Sequence, residues 1–549
     1  MIPEDFLRKT VAAECGLSEA ELQAVALAVN GESTKEIAKK LGISEDAVRK
    51  RLSEVYRKCN IEGRGPVKLA RLQQKLLKQF QDQQEPTAAP GPPPMPPTTS
   101  LSTPSLDWGE APKIPDPYGR QSELSLLQEW IQQRDRCRLV LLYGLKGIGK
   151  TTLAVHLAEQ LATSAEFEGI IWRSLSHAPH LKEFLDQLLA SLGVSLPPTA
   201  QDQRARLSQV LEVLQRHRYL IILDDGECLL RPKTLAGNYR EGYEDYGEFF
   251  QRIGKARHQS CLILISTETI NALTFLEGDN SPVRALHLEG LDPDAALNLL
   301  EYLGLQSSAS AQWQNLITTY DGNPLALKIV ASTLKMLFGG SVEAFFQQNT
   351  PLVFQEIRDL VKASFERLSE PEVEIMYCLA LASDSLDLQA IQNHILVPLD
   401  MSNLMQIVIS LRQRSLIATD PENTSRFMLR EVVLEYVTDY IFDVLFQETC
   451  QFFTSFEQLQ TQSTSDLQTW LGQSLLSRLK IFNGRSDAGF SRALAQLNHK
   501  LQAEFPNQQH IVEVLSQAQA WLETEFLVKN TYATENIDHL ITLLTDHPS

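Results

Sequence analysis

Nine residues, Gly144-Leu145-Lys146-Gly147-Ile148-Gly149-Lys150-Thr151-Thr152, constrain this chain more than any other stretch of it. Three glycines within six positions are costly inside a helix or a strand, so the segment reads as a loop. The apolar run LVLLY ends directly before it, and the helical pattern TTLAVHLAEQL overlaps its end. A strand, a glycine loop and a helix in that order, with G-x-x-x-x-G-K-[ST] spacing, is the P-loop arrangement, in which backbone N–H groups at a helix N-terminus enclose phosphate. At average composition a chain of this length matches the pattern by chance only roughly a few per cent of the time. Gly144, Gly147 and Gly149 allow the loop to curl around a triphosphate tail, and Lys150 neutralises its β and γ oxygens. Thr151 supplies a hydroxyl to Mg²⁺, and Thr152 completes the candidate nucleotide-binding set. ATP or ADP and Mg²⁺ are the expected cofactors.

A second apolar run, YLIILDD (219–225), ends in Asp224-Asp225. Beside a P-loop, Asp224 is the expected metal ligand and Asp225 the residue that orients or deprotonates an attacking water, so Lys150 and Asp225 are the candidate catalytic residues. Two further runs, GIIWRSL (169–175) and CLILIST (261–267), alternate with helical periods from Tyr118 onward. That alternation predicts an α/β domain with a parallel sheet. After about Leu291 the strands fade and amphipathic helices dominate. His156 reads as a packed or surface residue, Asp225, Glu227 and Cys228 as a loop after a strand, and Tyr239, Tyr243, Tyr246, Phe249 and Phe250 as packing.

With 549 residues the chain has room for three to four domains. The net charge of −18 argues against a generic polyanion binder. The charge is unevenly placed, however: residues 33–80 hold 13 basic and 5 acidic side chains, a local field that attracts a phosphate backbone. In the same segment Leu22, Val25, Ala26 and Val29 recur at helical spacing, and Ser33 with Glu36 forms a capping box opening a second helix with Ile37, Ala38 and Leu41. Gly42 stops it. Ser44 caps a third helix whose stripe of Val48, Leu52 and Val55 faces inward, with Arg49, Lys50, Arg51, Arg57 and Lys58 outside or at the flanks. Two helices joined at a glycine, the second of them basic, suit a recognition helix in a major groove. Residues 81–117 follow, with 11 prolines in 37 residues, and predict an extended linker. The seven scattered cysteines form no C-x-x-C pair, no apolar run approaches the roughly 18 residues of a membrane span, and no secretory signal is visible, so a cytoplasmic protein without membrane contact is expected.

Two resemblances add to this reading. LSEAELQAVALAVNGESTKEIAKKLGISEDAVRKRLSEVYRKCNI resembles a LuxR-type helix-turn-helix. The resemblance implies base-edge contacts from Ala47, Val48, Arg49 and Arg51 and phosphate contacts from Thr34, Lys35 and Lys50. The polar residue usual at 47 is alanine here, and the histidine common at 51 is arginine. From about residue 107 to 440, the P-loop, the Asp224-Asp225 run, Tyr118-Gly119-Arg120, FEGIIWRSL, Asp321-Gly322-Asn323-Pro324-Leu-Ala-Leu, SFERL (364–368) and RSLI (414–417) follow in order. Together they resemble the NB-ARC branch of the signal-transduction ATPases with numerous domains (STAND), and DWGEAP (107–112) and AGNYREGYEDYG (236–247) are similar to cyanobacterial members. This resemblance places Gly119 and Arg120 under the adenine and Pro324 on the base. It also implies a histidine on the β-phosphate of ADP where this chain has Arg430, and an arginine sensing the γ-phosphate where it has Thr267.

The expected fold is therefore multidomain, α/β plus all-α. It comprises a helix-turn-helix at 1–80, a linker at 81–117, a P-loop NTPase parallel sheet at 118–290, a helical subdomain at 291–350, a winged-helix subdomain at 351–440 and a helical C-terminal region at 441–549. The expected function is a nucleotide-switched, DNA-binding transcriptional regulator with slow ATP hydrolysis. ADP holds it closed, ATP lets it self-associate, and an unknown signal or sensor protein acts at the C-terminal region. The alternatives are a scaffold or defence-type assembly protein whose N-terminal helices recruit a protein, and a constantly turning ATPase.

Overall fold

The computed structural model describes residues 18–29, 34–58, 72 and 105–545, the last range with gaps at 115–117, 133–136, 165, 195–201, 279, 306–309, 348–354, 396–398, 460–473, 483–484, 486, 506 and 526–531. The chain divides into two compact units, residues 1–100 and 101–549. Most of the proline-rich linker lies outside the described residues, as do Ser33 and the side chain of Glu36, the expected capping box.

The first unit holds helices α1 (Glu19–Val29), α2 (Thr34–Leu41) and α3 (Glu45–Lys58). Gly42 ends α2 in a left-handed conformation, φ 65°, which a residue with a Cβ adopts only at a cost. Ser44 Oγ accepts from Ala47 N at 3.2 Å and caps α3. Ala28, Ile37, Ala38 and Val48 form a small core, with Leu27, Leu41, Ile43 and Leu52 packed around it.

The second unit is built on a six-stranded sheet in the order β1-β3-β4-β5-β2-β6, every pairing parallel. The strands are β1 (Ser105–Asp107), β2 (Leu139–Tyr143), β3 (Gly169–Ser174), β4 (Tyr219–Asp224), β5 (Cys261–Ser266) and β6 (Val283–His287). The four inner runs are apolar over most of their length because both faces of the sheet are covered. Leu139 and Leu141 of β2 face one cluster with α6 (Leu181–Ser191), α7 (Gln203–Arg216) and α8 (Asp245–Lys255). Val140 and Leu142 face the other with α4 (Gln121–Gln132) and α5 (Lys150–Thr163). Tyr246 and Phe249 of α8 are buried against Phe184, and Phe250 against both of them, the packing role expected for that aromatic group.

The expected linker 81–117 is overrun at its end. Ser105–Asp107 pairs with Gly169–Ile171 as an edge strand, and Arg173 forms an ion pair with Asp107. Three residues of SLD carry too little apolar period to announce a strand; pairing with β3 makes one.

The short helix α9 (Asn271–Thr274) lies between β5 and β6, and beyond β6 come α10 (Pro293–Tyr302), α11 (Ser310–Thr319), α12 (Pro324–Phe338) and α13 (Val342–Gln347) around a core of their own. A winged-helix assembly follows: α14 (Gln355–Phe365), α15 (Glu370–Leu381), α16 (Leu388–His394), α17 (Met401–Gln413) and a three-stranded sheet of β7 (Leu386–Asp387), β8 (Ile417–Thr419) and β9 (Arg426–Leu429). α18 (Glu431–Leu459) then runs through the expected boundary at 440. Its apolar face joins the winged helix to α19 (Leu475–Arg478), α20 (Ala488–Glu504), α21 (Gln508–Glu525) and α22 (Ala533–Thr545) in one continuous core. Among the described residues no helix is long and apolar enough to cross a membrane.

Asn536, fully buried on α22, ties this C-terminal bundle together. Its Nδ2 donates to the carbonyls of Leu476 and Leu479, both at 2.7 Å, and its Oδ1 accepts from Ile481 N at 3.1 Å. Asn536→Ala strips three buried backbone groups of partners, at a cost of about 2–3 kcal/mol. Amide hydrogen exchange in Ala533–Thr545 should accelerate by about 30- to 100-fold, while α5 amides keep their rates.

Candidate nucleotide site

The site lies at the carboxyl end of the parallel sheet, where β2 hands over to α5. Glycine is required in this loop for two different reasons. Gly149, the residue before α5, has φ 101° and open space around it, so only its backbone angle demands glycine. Gly147 has φ 81°, and a Cβ there would also sit 2.8 Å from Leu325 Cβ. The loop tip is thus clasped by the start of α12. Asn323 caps that helix through Leu325 N and Ala326 N, and its Nδ2 donates to Lys146 O at 3.1 Å. Pro324 occupies the first turn, where its missing N–H costs nothing.

Lys150 is buried, its Nζ donating to Gly144 O at 2.9 Å and Leu145 O at 3.0 Å. Burial lowers its pKa, while the carboxylates of Glu227, Asp224 and Asp225 pull the other way. Thr151 Oγ1 donates to Asp224 Oδ2 at 3.0 Å, so the two expected metal ligands meet. Burial, reinforced by the neighbouring charge of Asp225, pushes the Asp224 carboxyl up to about 6. Asp225 has a left-handed backbone, φ 61°, which aspartate tolerates better than most residues. Its Oδ2 accepts from Ser174 Oγ at 2.8 Å. Thr152 sits half-buried in the first turn of α5.

Arg120 is spent on structure. Its guanidinium donates to Ile148 O at 3.0 Å and Glu289 O at 2.7 Å and pairs with Glu123 at 2.6 Å, bracketing the P-loop to the end of β6. Gly119, φ 52°, packs where a Cβ would strike Ala295 of α10. Arg430, between β9 and α18, forms an ion pair with Asp321 and lies 3.9 Å from Glu289. Thr267 offers no cation; its backbone N donates to Glu227 Oε2 at 3.0 Å.

An oxygen set of a hydroxyl and carboxylates suits a hard divalent cation, and a glycine-lined helix N-terminus suits phosphate. The residues present therefore fit Mg²⁺ and a nucleotide tail. Sequence reasoning missed Asn323, Glu227, Ser174 and Glu289. Only Asn323 left a readable signal, as a cap residue directly before a proline.

In the first unit, Lys35, Arg49 and Lys50 are exposed and Thr34 and Ala47 half-buried. Val48 corrects an expectation: it is fully buried in the helix-turn-helix core and turns inward, away from any base edge. Arg51 is half-buried, with its guanidinium directed at Ala20 O, 3.4 Å away. Arg49 is paired with Glu45 at 3.2 Å and Asp46 at 2.8 Å.

Gly147→Ala should separate geometry from charge: a Cβ meets Leu325 while Lys150 and Thr151 are untouched. A loss of about 1–3 kcal/mol in thermal unfolding is expected, and unchanged stability would show that the clasp by α12 is loose.

A family model of the NB-ARC domain matches residues 120–226, and a model of the LuxR family of bacterial regulatory proteins matches residues 15–71. An uncharacterized WD repeat-containing protein of Nostoc sp. is 40% identical over 358 residues, 64% of this chain. The chain spans 28% of that relative's length. Disease resistance protein RPV1 of Vitis rotundifolia is 28% identical over 205 residues, 36% of this chain and 13% of that protein. Among solved structures, a STAND protein with a tetratricopeptide repeat sensor from Pyrococcus horikoshii aligns with 80% of this chain and 60% of its own at 16% identity, with a TM-score of 0.32. The Aeropyrum pernix ORC2 protein aligns with 60% of this chain and 95% of its own at 17% identity, with a TM-score of 0.37. The chain thus carries an NB-ARC domain match at residues 120–226 and, ahead of it, a match to the LuxR family of bacterial regulatory proteins at residues 15–71.

Proposed function

We propose that this chain is a nucleotide-switched regulator: the P-loop unit holds ADP in a closed form and ATP in an open, self-associating form, and the helix-turn-helix unit binds DNA. The observation that carries the reading is the convergence of Lys150, Thr151 and Asp224 at the mouth of the sheet. When bound, Mg²⁺ would supply positive charge that neutralises the phosphate tail. The chain's own residues do the rest. Thr151 and Asp224 hold the metal, Lys150 moves from loop carbonyls to phosphate oxygens, and Asp225, steadied by Ser174, orients the water and accepts its proton. Gly119, Arg120 and Pro324 shape the base end.

Without a cation at 267 the transition state lacks one stabilising charge, so hydrolysis acts as a slow timer. Arg430 grips the β-phosphate of ADP in place of Asp321, its partner in the structure. Domain limits near 80, 290 and 350 belong to this scheme, with the P-loop unit starting at β1 ahead of the expected 118 and the winged helix continuing into the C-terminal helices. A cytoplasmic location and a signal or sensor protein acting on that bundle complete the reading.

A second reading, recruitment of a protein by the N-terminal helices, is favoured by the pairing of Arg49 with Glu45 and Asp46, which reduces the charge left for phosphate.

Four outcomes are expected. Sized with a non-hydrolysable ATP analogue, the full chain should assemble, and with ADP it should remain a monomer; Lys150→Ala should abolish the difference, and a nucleotide-independent size would overturn the switch. By calorimetry, Arg430→Ala should weaken ADP roughly tenfold or more, the loss of a charged hydrogen bond, and Asp321→Asn should strengthen it. Because Asp224 titrates at about 6, protons compete with the metal below that pH. The Mg²⁺ requirement of nucleotide binding should therefore rise as pH falls from 7 to 5, and lose that dependence in Asp224→Asn. Finally, mobility shifts should weaken linearly in log salt, and Lys50→Ala should reduce the slope by about 1; a salt-independent complex would favour the protein-recruiting reading.

A further inference from the structure

The end of β5 carries a second acidic group with no part in the chemistry above. Glu268 is 1% exposed, one residue past Thr267. Its Oε1 accepts from Arg367 Nε at 2.9 Å, and Arg414 Nη1 lies 2.7 Å from its Oε2. Both arginines come from the winged-helix assembly: Arg367 from the turn after α14, Arg414 from the end of α17. Arg414 is itself buried and reaches Glu372 Oε1 at 3.2 Å and Thr234 O at 2.7 Å. Glu372 is fully buried and accepts from Ser410 Oγ, which in turn accepts from Ala236 N at 2.7 Å. Two carboxylates and two guanidiniums thus form a closed layer between the sheet and the winged helix.

Such a layer is suited to opening. An apolar seam exposes oil when it parts, whereas charged partners hydrate. Removing one member while the seam stays shut strands a buried charge, so the contact is all-or-none.

The layer also touches the nucleotide end of the sheet. β5 lies between β2, which feeds the P-loop, and β4, which ends in Asp224. Arg367 Nη2 donates to the carbonyls of Glu227 at 3.1 Å and Leu230 at 3.3 Å, and Arg367 O accepts from Lys233 N at 2.8 Å. The Glu227 side chain meanwhile holds Thr267 N. The turn after Asp225, the end of β5 and the winged helix are therefore one bonded set.

We propose that Glu268 is the latch of this chain: it locks the winged helix, through Arg367 and Arg414, onto the strand end beside the nucleotide site, and its release is what opens the molecule. The coupling to nucleotide rests on the switch reading above. Here the strand end signals through a carboxylate that holds two arginines, not through an arginine at 267.

The test uses the full-length chain carrying Glu268→Gln or Arg367→Ala, two independent ways to break the layer. Amide exchange is measured first without nucleotide. The amides of Lys233, Ala236 and Thr269, whose acceptors are Arg367 O, Ser410 Oγ and Gln413 O, should exchange at least tenfold faster in both variants, with α5 unchanged. The double variant should add nothing further, since either change opens the same seam. Fluorescent ADP should then dissociate at least fivefold faster from each. Should Glu268→Gln not fold, Arg367→Ala, whose side chain is 18% exposed, carries the test. Wild-type exchange at those amides in a folded variant overturns the latch. Faster exchange with unchanged ADP release overturns its link to the nucleotide. If the wild type takes up no ADP, the switch reading fails separately, and exchange alone decides the latch.

Discussion

The contact between the Thr151 hydroxyl, in the first turn of α5 after β2, and the Asp224 carboxylate at the end of β4 links the ends of two strands that are not neighbours, and the rest of the site depends on it. β5 separates β2 from β4. Parallel register pairs Leu141 with Leu264 and Leu264 with Leu223, so the three strands end at one level and both chemistries emerge from the same edge. A slip of one residue would turn every side chain of a strand to the other face of the sheet. Full burial of both faces makes such a slip prohibitive, because an apolar stripe would exchange one packed cluster for another of different shape.

Around that edge a set of polar bonds joins the remaining elements, beside apolar contacts such as Leu145 and Leu235 against the winged-helix core. Arg120 brackets the P-loop to β6, Asn323 clasps its tip to α12, and Arg430 reaches Asp321 from the winged helix. Glu268 with Arg367 and Arg414 closes the far side. The sheet is sealed by hydrocarbon on both faces, and its open end adds charged contacts to the apolar ones. Hydrocarbon fixes a shape, while buried ion pairs add little net stability and strong geometric demand.

Much of this was legible in the residues. The four inner strands announced themselves because two-sided burial makes most of their positions apolar, with polar residues gathered toward the carboxyl ends. The edges β1 and β6 did not: SLD is exposed or half-buried throughout and VRALH half-buried beyond Val283, so neither reads as an apolar run, and their strand character comes from partners far away in the chain. Val48 is instructive, because its helical period pointed inward while the family resemblance pointed it at a base, and packing followed the period. The boundary expected at 440 dissolves because α18 keeps one apolar face through it, and an uninterrupted amphipathic helix has no reason to stop.

By itself the sequence determined the βα loop, the identity of its lysine, threonine and paired aspartates, and the helix-turn-helix, since each of these is written in local spacing that one or two elements can satisfy alone. Only the tertiary structure decided what those residues touch: that Lys150 rests on loop carbonyls, that Arg120 and Asn323 serve the loop's shape, and that Glu268 meets two arginines about a hundred or more residues along the chain. The physical reason is that spacing in sequence fixes dihedral angles and periodic faces, whereas the energy of a buried charge depends on which distant groups close around it.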